Sequence, residues 1–281
     1  MFRILTTQNL ASSVQLMEVE APFIAQKVRA GQFVVVRRAE TSERIPLTVA
    51  DWDGKRGSLT LIFQEVGKST VELGKLRPGD SIQDLIGPLG RPSEIARCGT
   101  VVCVGGGIGI APIYPIARAH QRKGNRVLSI LGARRKDLLI LEEEMRALSE
   151  QLWVTTDDGS YGRHGLVTDE LRRLAEEGEK IDLVVAIGPP IMMQAVCRLT
   201  ETYGIKTIVS LDSIMVDGTG MCGACRVTVG GKTRFVCVHG PEFDGHQVDF
   251  DEYIRRKKMY LAQEKEAMER CQPCREGGCL A

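Results

Sequence analysis

The stretch "TVVCVGGGIGIAPIYPIARAHQRKG", residues 100–124, decides the fold. An apolar run ends in a cluster of glycines, and a helical spacing of apolar residues follows as far as Lys123 and Gly124. That order predicts a buried strand, a tight turn and a helix with glycine just past its end. The pattern continues downstream. "RVLSILGAR" (126–134) reads as a second buried strand and "DLLILEEEMRALSE" (137–150) as a helix. "QLWVTTDDG" (151–159) and "IDLVVAIGPP" (181–190) read as strands, "LVTDELRRLAEEG" (166–178) and "IMMQAVCRLTETYG" (191–204) as helices. Strands alternating with helices build a doubly wound parallel sheet, here over residues 98–210.

Two turns of this domain carry candidate chemistry. In "VGGGIGIAP" (104–112), Gly105, Gly106, Gly107, Ile108 and Gly109 can bring backbone N–H groups and a helix N-terminus against a diphosphate. The same glycines would also serve plain strand–helix packing, because the run lacks the G-x-G-x-x-G spacing and its later acidic residue. In "AIGPPIMMQ" (186–194), Gly188 and Pro189 end a strand and Met192 lies in the first turn of the next helix. Two such turns on one sheet edge face one crevice, where ligands of open α/β sheets bind.

Residues 1–97 are different in kind. "QFVVVRR" (32–38) and "SLTLIFQEV" (58–66) are short strands between turn signals such as "DWDGKRG" and "RPGD". They predict a small β-barrel or sandwich. The expected fold is therefore a β-barrel domain, an α/β doubly wound domain, a Cys-containing segment at 211–250 and a helical tail at 251–281.

Bulk composition narrows the function classes. The chain has 281 residues, room for two domains, and a net charge of +1, so no global field favours nucleic acid or an anionic membrane. No apolar run reaches the ~18 residues of a membrane span, and the first ten residues do not read as a signal peptide. Nine cysteines without a secretory signal point to reduced thiols in the cytoplasm, with metal or cofactor roles. Cys98, Cys103 and Cys197 sit among apolar neighbours and read as core residues.

The other six cysteines fall in two clusters. In "VDGTGMCGACRVTVGGKTRFVC" (216–237), Asp217, Cys222, Cys225 and Cys237 follow the x4–x2 spacing of plant-type [2Fe–2S] proteins, with aspartate in the first place. Glycines bend the loop, and a hairpin returns the last cysteine. A zinc site needs four N or S donors, for which His239 is the nearest supplement. Thr219 or water competes with Asp217 as the fourth donor to a cluster. The tail "CQPCREGGC" (271–279) holds Cys271, Cys274 and Cys279, readable as idle thiols or as part of a site shared with a partner. The preceding stretch, 251–270, reads as one charged helix with a sticky stripe of Ile254, Tyr260, Leu261 and Met268, suited to a partner subunit.

Six motifs recur in order: "ERIPLT", "QEVGKST", "IGPLG", "TTDDGSYG", "GPPIMM" and "IMVDGTGMCGACRVTVGG". Through them residues 1 to about 250 resemble the ferredoxin–NADP reductase superfamily. Within it the chain resembles the electron-transfer subunits of dihydroorotate dehydrogenase, and most narrowly the small subunits of NAD-dependent ferredoxin:NADP oxidoreductases, the electron-bifurcating transhydrogenases also known as sulfide dehydrogenases. The resemblance implies FAD on the barrel, with Arg44, Pro46, Leu47 and Thr48 at the flavin. Ile62, Phe63 and Gln64 would line the isoalloxazine, and Gly67, Lys68, Ser69 and Thr70 would hold the diphosphate. Leu47 stands where relatives often stack an aromatic ring, and Arg44 sits one residue further away than theirs.

The resemblance also implies NAD(H) in the second domain. Gly105 to Gly109 would take its diphosphate, Gly188 and Pro189 its nicotinamide, and Asp157 and Asp158 join the cofactor-binding set. Ile187 replaces the cysteine that relatives often carry before Gly-Pro, so no catalytic thiol is expected. Arg134 and Arg135 could hold the extra phosphate of NADP(H) or could be solvated. Asp217, Cys222, Cys225 and Cys237 would bind a [2Fe–2S] cluster, Asp217 replacing a cysteine of the dihydroorotate-type relatives. The implied partner is a larger flavoprotein with [4Fe–4S] clusters, forming a heterodimer that reaches ferredoxin through the complex. A nucleotide-binding redox sensor without turnover is the rival from another class.

Overall fold

In the computed structural model the described residues are 1–271. The first seven strands are β1 (Phe2–Ala11), β2 (Val14–Glu20), β3 (Phe33–Arg37), β4 (Arg44–Asp53), β5 (Ser58–Gln64), β6 (Ser81–Ile82) and β7 (Asp84–Leu89). They form one antiparallel sheet in the order β6-β1-β2-β5-β4-β3-β7, curled into a nearly closed barrel. Two short helices interrupt it, α1 (Pro22–Ala25) and α2 (Lys68–Gly74). Alternation fills the interior: Leu59, Leu61 and Phe63 of β5 point into the barrel with Ile4, Met17, Val34 and Val36.

The second sheet is built from β8 (Thr100–Gly106), β9 (Arg126–Ala133), β10 (Gln151–Thr156), β11 (Arg163–His164), β12 (Leu183–Ile187) and β13 (Thr207–Ser210). Its helices are α3 (Ile110–Arg122), α4 (Glu142–Leu148), α5 (Val167–Glu176) and α6 (Pro190–Thr202). These strands are parallel in the order β11-β10-β9-β8-β12-β13. The order reverses between β8 and β12, which opens a crevice at their C-terminal ends. Val101 and Cys103 face α3 and α4, while Val102 and Val104 face α5 and α6.

Residues 211–250 do not stand apart as a third body. The hairpin β14 (Arg226–Val229) and β15 (Lys232–Phe235) leads through α7 (Val236–His239) into β16 (Glu242–Asp244). β16 pairs antiparallel with β13 and becomes the seventh strand of the nucleotide sheet. Cys225, Val227, Val236 and Cys237 share a core with Val102, Val104 and the barrel residues Phe33 and Val35. On the opposite face, Val14, Ala30, Ala50 and Ile62 of the barrel pack with Ile110, Ile113 and Ile116 of α3. Two apolar seams thus tie the three segments together.

The single helix expected over 251–270 is two, α8 (Phe250–Lys257) and α9 (Leu261–Arg270). Tyr253 is 1% exposed and anchors α8 under the Cys segment, whereas α9 lies against α2 of the barrel. Two different docking surfaces override one helical pattern. Cys103 and Cys197 are buried as expected, but Cys98 is exposed. It lies in the irregular chain before β8 and donates its backbone N–H to Asn125 Oδ1 at 2.8 Å. Cys271 is buried; Cys274 and Cys279 lie outside the described residues.

Candidate functional site

The β8–α3 and β12–α6 turns meet. A Cβ on Gly106 would stand 2.3 Å from Met192 Sδ, and one on Gly188 would stand 3.1 Å from the Gly106 Cα. On Gly109 it would come within 2.3 Å of the Ile187 carbonyl oxygen. Gly107 is the reverse case: it has open space but a φ of +55°, which glycine adopts without strain. Gly105 and Gly106 close β8, and Ile108 packs at the edge of the apolar seam. Met192 fills the gap between the two turns. Above them only the Gly107 position opens on free space.

At the ends of β9 and β10 lies a cavity of about 570 Å³ lined by Leu10, Arg135, Lys136, Asp137, Leu139, Asp158 and Ser160. Arg135 is paired with Asp137 at 2.8 Å, and Arg134 is exposed at its margin. The Asp157 and Asp158 N–H groups donate to the Ala133 and Arg134 carbonyls, locking the two strand ends together. Ser160, through its hydroxyl and then its backbone N–H, holds the Asp158 carboxyl below the usual carboxylate range.

On the barrel, Pro46, Leu47 and Thr48 are half-buried in β4 and Arg44 is exposed at its start. Ile62 faces the nucleotide domain, but Phe63 points into the barrel interior at 2% exposure. Of Phe63, only the backbone is available to a ligand on the outer face; Gln64 is half-buried at the end of β5. Thr70 Oγ accepts the N–H groups of Val66 and Gly67 at 3.1 Å each and donates to the Gly67 carbonyl. It therefore acts as a helix cap. Lys68 is exposed, and Ser69 Oγ donates to Glu43 at 3.4 Å.

The Cys loop rests on the barrel. A Cβ on Gly218 would meet Leu89 Cδ1 at 2.8 Å and Val35 Cγ2 at 3.0 Å. Val35 of β3 is paired with Pro46 of β4, so the loop rests on the strand next to the β4 segment. Cys225 and Cys237 place their sulfurs 3.2 Å apart in a buried setting. Burial first, then Cys225, pushes the Cys237 thiol up to about 12. Asp217 Oδ1 accepts the Thr219 N–H at 2.9 Å and Oδ2 accepts the Cys222 N–H at 3.1 Å. Those N–H groups, Thr219 before Cys222, hold its carboxyl below the usual range. Among the described residues no three His, Cys, Asp or Glu side chains gather around one point as a mononuclear metal site requires. The donors form two pairs instead, Cys225 with Cys237 and Asp217 with Cys222. His239 accepts the Phe235 N–H on Nδ1 at 2.9 Å.

Reading the sequence missed Ser160 and Lys136 at the β10 end, although "TTDDGSYG" contained the serine. It also missed Asp51, Trp52, Tyr114 and Arg118, which meet across the domain seam and carry no motif.

Two family models match stretches of this chain. Residues 103–198 match the oxidoreductase NAD-binding domain, and residues 212–249 match the iron–sulfur cluster binding domain of dihydroorotate dehydrogenase B. A Thermotoga maritima homologue of the dihydroorotate dehydrogenase B (NAD(+)) electron transfer subunit is 48% identical, covering 93% of this chain and 92% of its own. The Geobacillus thermodenitrificans electron transfer subunit is 34% identical over 87% of this chain and 96% of its own. The solved NADH-dependent reduced ferredoxin-NADP oxidoreductase, a structure described for flavin-based electron bifurcation, superposes with a TM-score of 0.91 at 47% identity. It covers 95% of this chain and 96% of the matched one. The cytochrome b5 reductase domain of Ulva prolifera nitrate reductase, at 19% identity and a TM-score of 0.59 over 73% of this chain and 93% of its own, shares the fold alone. With an NAD-binding sheet and an iron–sulfur segment packed on one β-barrel, this chain is an oxidoreductase component and belongs to the family of dihydroorotate dehydrogenase B electron transfer subunits and their homologues.

Proposed function

We propose that this chain is the FAD- and [2Fe–2S]-containing electron-transfer subunit of an NADH-dependent ferredoxin:NADP oxidoreductase. One observation carries the reading: the Cys loop sits on β3, next to the β4 segment that would hold the flavin, while the Gly106–Gly188 crevice opens on the neighbouring domain. Nicotinamide, flavin and cluster then line up in one short series. The flavin supplies the conversion between a two-electron hydride donor and one-electron carriers.

The chain's own residues bind and orient. Pro46, Leu47, Thr48 and the backbone of residues 62–64 would contact the flavin, with Arg44 reaching from the strand start. The N–H groups of Lys68 and Ser69 would face its diphosphate, Thr70 and Gly67 being bound to one another. Gly105 to Gly109 would take the dinucleotide diphosphate, with Gly188 and Pro189 beside the nicotinamide. Hydride transfer between stacked rings asks for position and not for a side-chain acid. The pairing of Arg135 with Asp137 and the carboxylate of Asp158 favour NAD(H) over NADP(H) at the ribose edge, where Arg134 stays solvated. Cys225, Cys237, Asp217 and Cys222 would supply the four donors of a two-iron cluster, which would carry single electrons.

A larger partner subunit would dock around the Cys loop. Val216, Met221 and Val238 are 52%, 89% and 39% exposed there, an apolar rim beside the ligand set. The free thiols of the described residues support a cytoplasmic setting for the complex. A second reading, pairing with a dihydroorotate dehydrogenase catalytic subunit, is supported by the likeness to dihydroorotate dehydrogenase B electron transfer subunits; Asp217 in place of cysteine weighs against it. Anaerobic isolation of the native complex tests both. Flavin bands bleached by NADH, iron and sulfide on this chain, and a co-purifying flavin and [4Fe–4S] subunit are expected. A colourless protein that ignores NADH would overturn the reading.

A further inference from the structure

Arg118 lies on α3, nine residues beyond Gly109 of the nucleotide turn. Its guanidinium sits 5.1 Å from the Tyr114 ring centre on its own helix and 5.5 Å from that of Trp52 on β4. It also donates to Asp51 Oδ1, the residue before Trp52. The Arg118 side chain is 16% exposed, and the Asp51 carboxylate that it meets stands half-exposed at the rim. β4 is bulged between Val49 and Asp51, which turns Ala50 into the apolar seam and brings Asp51 and Trp52 to its rim. The seam itself is made of small and aliphatic groups, Ala30, Ala50, Val14 and Ile62 against Ile110 and Ile113. Apolar contact is non-directional and fixes no angle. A guanidinium held between two rings and a carboxylate does.

We propose that Arg118 is a positioning residue for hydride transfer, clamping α3 to β4 so that the nucleotide turn and the flavin strand keep one relative setting. The idea rests on the function proposed above. Its leverage is geometric. At 1.5 Å per residue the turn lies about 13 Å along α3 from the clamp, so a tilt of about 5° there carries the turn by about 1 Å. A displacement of that size costs on the order of 10²-fold in rate when reacting atoms must meet at contact. β4 supplies both ends of the relation. Asp51 and Trp52 hold the helix, and Thr48, three residues before Asp51, belongs to the segment assigned to the flavin.

The test uses the full chain with its cofactors and the substitution Arg118→Met, which keeps the apolar stem and removes the fork. Stopped-flow reduction of the flavin by NADH should show a limiting rate lowered by about tenfold or more. The NADH concentration for half-saturation should move less than about threefold, and flavin content should be unchanged. The isotope effect with 4-deuterated NADH should rise as the transfer step becomes slower. Arg118→Lys, which keeps the cation between the rings, should recover part of the rate.

A readout independent of turnover comes from tryptophan emission. The chain has two tryptophans, Trp52 and Trp153, so in a Trp153→Phe background Trp52 alone reports. Arg118→Met should raise its quenching by acrylamide, with or without flavin bound. If Arg118→Met does not fold, Asp51→Asn serves in its place, with the same signs and smaller effects. A limiting rate within twofold of the parent, or a rate loss matched by flavin loss that lysine does not recover, overturns the positioning role. A parent protein that NADH does not reduce overturns the function instead, and the Trp52 quenching still decides whether the clamp exists.

Discussion

The crevice between β8 and β12 and the Cys loop are the two candidate sites, yet they are held by opposite means. Around the crevice, β8 is hydrogen-bonded along its length to β9 on one side and β12 on the other. Two apolar layers cover it, and its turns touch through glycines with no room to spare. Residues 216–224 have no such ladder. A carboxylate gripping two backbone N–H groups, a buried pair of thiols and the contact of Gly218 with the barrel shape that loop. Met221 and Cys222 stand in solvent. The crevice is therefore built by the fold alone, whereas the Cys loop would leave part of its structure to a metal, as sites with deprotonated thiol ligands generally do.

The sharpest way to break that contrast is Cys237→Ser. Iron and acid-labile sulfide on the isolated chain should fall by roughly 100-fold, since a ligand matters at least as much as the outer partners of a metal site. Flavin content and its reduction by NADH should stay within about threefold, because the crevice does not lean on the loop's metal. Joint loss of both sites would show that the two regions fold as one. Gly107→Val probes the other side. A Cβ there meets nothing within 4 Å, but a φ of +55° strains the valine by about 1–3 kcal/mol. The half-saturating NADH concentration should rise about 30-fold with flavin and iron retained. Loss of the flavin would mean that this turn serves the barrel.

The same contrast explains what could be read from the sequence. Strand–turn–helix repeats from residue 100 onward declared the parallel sheet, and the two glycine turns declared its crevice, because periodicity and backbone conformation are local properties. The spacing of Cys222, Cys225 and Cys237 is local too. The clamp at Arg118 was illegible, since Asp51 and Trp52 come from another domain and one arginine among many looks like any other. The return of β16 to the edge of the nucleotide sheet was hidden for a related reason: a three-residue strand has almost no pattern of its own. Phe63 was placed by neighbourhood in a motif, and only the alternation of β5 in three dimensions shows its ring inside the barrel.

A finer test concerns the fourth donor. Asp217 caps the loop and stands paired with Cys222, and both duties are compatible because each carboxylate oxygen has a second lone pair. Asp217→Cys should retain the cluster and shift its midpoint potential by ~60 mV or more, a tenfold change for one electron. A redox titration followed by EPR with no displacement would leave Asp217 as a cap alone and return Thr219 or water as the candidate donor.

The smallest expected effect lies where the two regions join. Glu242 of β16 is held at the seam by Ser93, whose hydroxyl donates to Oε1 at 2.5 Å, and Ser93 in turn donates its N–H to the Ala30 carbonyl of the barrel. Burial pushes the carboxyl up to about 7, against a smaller pull from Ser93. Its folded value thus lies above the unfolded one, near 4.5. Between these values the folded chain holds more protons than the unfolded one, so stability falls as pH rises through the window. Glu242→Gln copies the neutral acid and keeps the oxygen that accepts from Ser93. At pH 8 the variant should be more stable by about 1 kcal/mol, the full shift being discounted for partial exposure of the residue. In a chain of this size that raises Tm by about 2–4 °C. Near pH 5 the two proteins should melt together, because wild-type Glu242 is then neutral as well. A gain of equal size at both pH values would show that glutamine acts through packing, and that the seam between crevice and Cys loop carries no titrating charge.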